Sequence, residues 1–129
     1  MLKIFFGLLM AVVLGCAPHA ATPALPPPVA FATGPGFENH AKLTEHFHKH
    51  GAEFGAKSEK DYLQMAQILR DTPLIPRIRE AVRSDGVTTR FDRQLGSFLA
   101  FNRDRTIRTF FKPNDGERYF ERQLHKSHE

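Results

Sequence analysis

Residues 87–111 read V-T-T-R-F-D-R-Q-L-G-S-F-L-A-F-N-R-D-R-T-I-R-T-F-F, and this stretch decides the fold. Runs ending at Phe91, spanning Phe98 to Phe101 and spanning Ile107 to Phe111 are rich in β-branched and aromatic side chains. The turn-like clusters Asp92 to Gly96 and Asn102 to Arg105 separate them. Short runs between turn signals predict an antiparallel meander. Just upstream, Ile78-Arg79-Glu80-Ala81-Val82 before the turn cluster Ser84-Asp85-Gly86 is either a further strand or the extension of a helix, so three to four strands are expected. Neighbours on a strand point to opposite faces, so Phe110 and Phe111 cannot both enter one core and a second element has to cover one of them.

Working outward, Lys112-Pro113-Asn114-Asp115 breaks the last strand, and 116–125 reads as a closing helix with Tyr119, Phe120 and Leu124 inward. Upstream of the strands two helices are expected. One covers about 41–50 and stops at Gly51, read as the left-handed residue after a helix end. The other starts from the cap Ser58, carries Glu59 and Asp61 in its first turn, repeats Tyr62, Met65, Ala66 and Leu69 at helical spacing, and ends at Pro73. The fold class is α+β: two N-terminal helices, an antiparallel meander of three to four strands and a C-terminal helix.

The N-terminus has a different character. Residues 1–15 combine Lys3, an apolar run and Gly15, the layout of a secretory signal, and the run is too short to cross a bilayer comfortably. Val13-Leu14-Gly15-Cys16 resembles the bacterial lipobox, which implies lipidation of Cys16 as the mature N-terminus; the other reading is an uncleaved hydrophobic anchor with an incidental cysteine. Both place the chain outside the cytoplasm and on a membrane, with the periplasmic face of the outer membrane as the expected site. Residues 16–36 are mostly Ala, Pro, Thr and Gly with no acidic or Lys/Arg side chain, which suits a semi-extended tether. The folded domain is thus expected over 37–129, and with one cysteine it holds no internal disulfide.

The 129 residues carry a net charge of +4, enough to favour an anionic partner without specifying one. By region the bias is sharper. Residues 77–112 hold nine Lys/Arg against four Asp/Glu, net +5, whereas residues 38–71 hold five against six, net −1. Arginines interleaved with Phe91, Phe98, Phe101, Phe110 and Phe111 suit a single-stranded RNA surface of phosphate clamps and stacking rings. They equally suit the wet and dry faces of a half-buried sheet.

A second stretch gathers titratable groups. Residues 43–55, L-T-E-H-F-H-K-H-G-A-E-F-G, place His46, His50 and Glu53 on one helical strip with Lys49 at its edge, and Phe47 and Phe54 elsewhere. Such a strip is a solvated face or a site. Two histidines one turn apart can also bind zinc, but a third and fourth ligand would have to come from His40, Glu53, His125 or His128.

The pattern H-F-x-K-H-G-x-E-F-G from His46 to Gly55, then Arg90-Phe91-Asp92, then I-R-T-F-F-K-P from Ile107 to Pro113, resembles the ribonuclease domains at the C-termini of bacterial polymorphic and contact-dependent growth-inhibition toxins. These belong to the barnase, EndoU, colicin and RelE-like superfamily. The resemblance spans roughly residues 38–123. It implies an endoribonuclease that works without a metal or other cofactor, cleaves RNA (tRNA among the targets) by attack of the 2′-hydroxyl, acts as a monomer and is matched by an immunity protein. Carried over position by position, it assigns His46, His50, Arg90 and Thr109 to catalysis and Lys49, Arg108, Phe110 and Lys112 to substrate binding, with Arg90 and Lys112 as phosphate clamps. His48 falls at a variable position, and Arg105 stands where such sequences place glycine. The alternative is an envelope lipoprotein that keeps a toxin-like fold as a non-catalytic or metal-binding module.

Overall fold

The computed structural model describes residues 34–125; Cys16 and the signal and lipobox expectations lie outside the described residues. The order is α1 (His40–His50), a 3-10 turn (Gly51–Phe54), α2 (Glu59–Asp71), β1 (Ile78–Val82), β2 (Thr88–Asp92), β3 (Ser97–Phe101), β4 (Ile107–Phe111) and α3 (Glu117–His125). The four strands form one antiparallel meander in the order β1-β2-β3-β4. Residues 78–82, ambiguous by sequence, are a strand paired with β2 from Ile78↔Asp92 to Val82↔Thr88.

The starts of α1 and α2 carry side-chain caps: Asn39 accepts from the Lys42 N–H at 2.9 Å and Ser58 from the Asp61 N–H at 3.1 Å. The end of α1 differs from expectation. Gly51 has right-handed backbone (φ −57°) and opens the 3-10 turn, while the left-handed residue is Gly55 (φ 64°). Glycine is required at 51 for a steric reason, because a Cβ there would sit 2.6 Å from the Phe47 ring. Arg105, at the position where glycine was expected, does adopt the left-handed region (φ 71°). That conformation costs an L-residue roughly 1 kcal/mol. The Arg105 N–H bonded to Asn102 O at 2.9 Å and an ion pair from its guanidinium to Asp71 help hold it there.

Two cores result, one on each face of the sheet. Under α2 lie Tyr62, Ala66, Leu69, Ile78, Leu99, Phe101, Ile107 and Phe110. Under α3 lie Val87, Phe91, Phe98, Ala100 and Phe120, with Phe111, Tyr119 and Leu124 packed against them. Every residue of β3 is buried because it is covered on both faces. Phe110 and Phe111 separate as strand geometry demands: Phe110 stacks on Phe54 at 4.1 Å, and Phe111 meets Tyr119 at 5.1 Å. A register irregularity between Ala100 and Phe101 lets Ile107 and Phe110 reach the same core despite their odd spacing.

The edge strand β4 is not open. Phe37 bridges Ile107 in parallel, and the Ile107 N–H donates to Gly36 O at 2.8 Å. Gly34 and Pro35, read with the tether by composition, dock on α2: both carbonyls accept from Gln67 Nε2, at 3.1 and 3.3 Å, and Pro35 O also accepts from Arg70. Arg70 is 1 % exposed. A cation so buried must be paired, and its bonds to Pro35 O, Arg105 O and Asp71 tie the chain entry to the β3–β4 turn.

Candidate functional site

α1 runs along the β4 edge and turns its histidine strip toward that strand. Four rings form a row: Phe37 stacks on His46 (4.9 Å between centroids), His46 on His50 (6.1 Å), and His50 meets Phe111 (5.2 Å). Past His50 the helix tightens into the 3-10 turn, where side chains three apart eclipse, so Glu53 comes over His50. Its Oε1 lies 2.9 Å from His50 Nδ1, and its Oε2 accepts the Lys112 N–H at 2.7 Å. One carboxylate thereby joins the histidine to the end of β4. When Nδ1 carries the proton donated to Glu53, the unshared electron pair of the ring is on Nε2.

His46 lines a cleft of about 610 Å³ between α1 and the β3–β4 turn, together with Phe37, Lys42, Asn102, Asp104 and Arg108. Burial, and then the neighbouring His50, push the His46 imidazole below its ordinary value of 6.5, which favours the neutral ring at pH 7. Its Nδ1 is buried without a hydrogen-bond partner. Arg108 is exposed and, among the described residues, forms no ion pair. Lys49 is exposed on α1, and the Lys112 ammonium stands 5.3 Å from the centroid of the Phe54 ring. His48 is exposed.

Three of the expected site residues lie elsewhere. Arg90, expected as a phosphate clamp beside the histidines, is on β2, two strands in from the edge. There its guanidinium bonds Glu80 Oε2 (2.5 Å), Leu69 O (3.0 Å) and Thr72 O (2.5 Å). It caps the C-terminus of α2, since an arginine on a covered strand must satisfy its donors locally. Thr109 pairs with Ala100, which puts its side chain on the α3-side face of the sheet with Phe111, and it is not among the residues that line the cleft. Phe110, 2 % exposed, is core between Phe54 and Tyr62 rather than a stacking platform. Strand alternation decides this, and it puts Phe111 beside His50 instead.

Among the described residues, outside which His128 lies, no zinc arrangement forms either. His40 pairs with Glu59 at 2.9 Å, and no group of three or more His, Cys, Asp or Glu among the described residues is placed to hold a metal ion. Phe37, Lys42 and Asn102 were missed by sequence reasoning. Phe37 looked like the first residue after the tether, and nothing local says that it will meet a histidine nine positions on.

Much of the basic excess of the sheet is spent. Arg79 pairs with Glu117 and Glu121, Arg93 with Glu117, Arg83 with Asp85 and Arg105 with Asp71. The acids of α3 were outside the segment whose charge was counted. No helix among the described residues is long and apolar enough to cross a membrane. No protein-family model matches this chain, and no curated protein matches it.

Proposed function

We propose that this protein is an endoribonuclease that cleaves RNA without a metal, with the edge of β4 as its active site. The observation that carries the reading is the Lys112 N–H···Glu53···His50 chain, which orients one imidazole beside a second, half-buried one at a cleft lined by Lys42 and Arg108 as well as by Glu38 and Asp104. In the reaction, His46 removes the proton from the ribose 2′-hydroxyl as O2′ bonds to phosphorus. His50 delivers a proton to O5′ as the P–O5′ bond breaks, leaving a 2′,3′-cyclic phosphate and a 5′-hydroxyl. Arg108, Lys112 and Lys49 bind phosphates along the strand and stabilise the charged phosphorane. Glu53 holds the His50 ring through Nδ1, which leaves Nε2 to face the leaving oxygen. Lipid anchoring through Cys16 at the envelope, a monomeric state and an immunity protein belong to the same proposal.

The test is cleavage of total RNA and tRNA by the full chain in EDTA, with product ends identified. Cyclic phosphate ends are expected, with His50→Ala and His46→Ala each lowering the rate by about 10²-fold or more. Absence of cleavage overturns the reading. The positions of Arg90 and Thr109 outside the cleft favour the second reading, a non-catalytic envelope module, which predicts that outcome.

A further inference from the structure

The two imidazoles of the row are held by different means. His50 is oriented by its bond to Glu53, whereas no hydrogen bond to another described residue orients His46. Its ring is set by packing, on His50 along α1 and on Phe37 from the segment that enters the domain. That segment is fastened along its length. Gln67 and the buried Arg70 hold the Gly34 and Pro35 carbonyls on α2, and Gly36 O accepts the Ile107 N–H of β4 at 2.8 Å. Residue 36 is glycine where the chain passes closest to α2, since a Cβ there would sit 3.1 Å from Leu63 Cδ1. Phe37 then stacks on two rings: Tyr62 at 6.1 Å and 13° between planes, and His46 at 4.9 Å and 27°. Tyr62 is fully buried and its hydroxyl donates to Phe110 O, so the stack starts from a fixed point in the core.

We propose that residues 34–37 form a strap that completes the site, with Phe37 as the positioning residue of His46, as Glu53 is for His50. The strap acts on the charge of the ring as well as on its place. An imidazolium carries a proton on both nitrogens, and His46 Nδ1 is buried with no acceptor, so charging the ring leaves a buried N–H unpaired. The charged groups around the ring are Lys42, Glu45, Lys49 and His50 on α1, Glu38 next to the strap, and Asp104 and Arg108 across the cleft. All of them stay when Phe37 is replaced. A change in His46 titration on losing the Phe37 ring therefore reports the covering of Nδ1. The proposal rests on the ribonuclease reading for its reaction, but the hold of Phe37 on His46 is measurable without turnover.

Following the His46 ring signal of the full chain by NMR against pH, with RNA cleavage measured over the same range, tests it. In Phe37→Ala the His46 midpoint should rise toward 6.5 and the acidic limb of kcat/KM should rise with it. The rate at pH 7 should fall about tenfold or more, because the ring is no longer held at the substrate. Phe37→Tyr, which keeps the flat ring, should restore both. Gly36→Val keeps Phe37 but pushes the strap off Leu63, and it should reproduce the shift of Phe37→Ala. Phe37→Leu keeps the volume without the flat face and should move the midpoint in the same direction, which covers the case of an unfolded alanine variant; native-like amide dispersion shows which variants have folded. A His46 midpoint unmoved in the folded variants overturns the proposal even where the rate falls, since a purely structural role lowers the rate without moving that titration. A midpoint that depends on Phe37 in a chain that cleaves no RNA keeps the strap and removes the ribonuclease reading. Cleavage that needs His46 but is the same in the parent and Phe37→Ala at every pH does the reverse.

Discussion

β2 and β4 carry a similar sequence signal, an arginine within two residues of a phenylalanine, yet the structure uses them in opposite ways. β2 is interior, so Arg90 is pulled between α2 and the sheet and spends its donors on Glu80 and the Leu69 and Thr72 carbonyls. β4 is an edge, so Arg108 stays in solvent beside the cleft and the histidines of α1 close on the strand. A charged side chain on a covered strand is forced into structure, whereas one on an edge is left for a ligand.

The comparison can be broken by substitution. The largest effect is expected for adjacent rings on β4: Phe110→Ala should cost about 4 kcal/mol in urea unfolding, and Phe111→Ala, half-buried beside His50, about half as much. Equal costs would contradict the division of the two rings between a full core and a site wall. Next comes Arg90→Ala, expected to lose about 3 kcal/mol, because Glu80 and two α2 carbonyls are left unpaired. Arg108→Ala should stay within about 0.5 kcal/mol of the parent while weakening RNA binding. A stable Arg90→Ala protein with a purely kinetic defect would return Arg90 to the site.

The smallest effect concerns pH. Because the native imidazole of His46 titrates below 6.5, the folded chain binds fewer protons than the unfolded chain between the two values. Stability from this group is present above pH 6.5 and lost as pH falls through the lowered native value. A His46→Phe variant should lose that slope in pH-dependent melts. In the parent, the acidic limb of kcat/KM should lie below the ordinary histidine range, and a limb at or above it would remove His46 as the base.

Secondary structure was largely legible from residue patterns. Caps at Asn39 and Ser58 are local, and strand runs between turn clusters need only the period of the chain; Ser58 and the runs stood out in advance, while Asn39 did not. Gly51 was misread because its glycine serves Phe47, one turn back, rather than a backbone angle, and a turn that tightens from α to 3-10 has no distinct composition. The charge of the sheet was overstated because Glu117 and Glu121, which neutralise Arg79 and Arg93, come from a helix at the other end of the domain.

For the site, the sequence by itself determined the inventory: two histidines and a glutamate at the end of one helix, an α+β order of elements, and two phenylalanines that had to part. It also determined that Glu53 could reach His50, since that contact is three residues long. Only the tertiary structure decided which strand the histidines face, which of Phe110 and Phe111 they touch, and that Lys112 joins them while Arg90 does not. Those outcomes depend on strand order and on which strand is left at the edge, properties of pairing between distant segments that local periodicity does not carry.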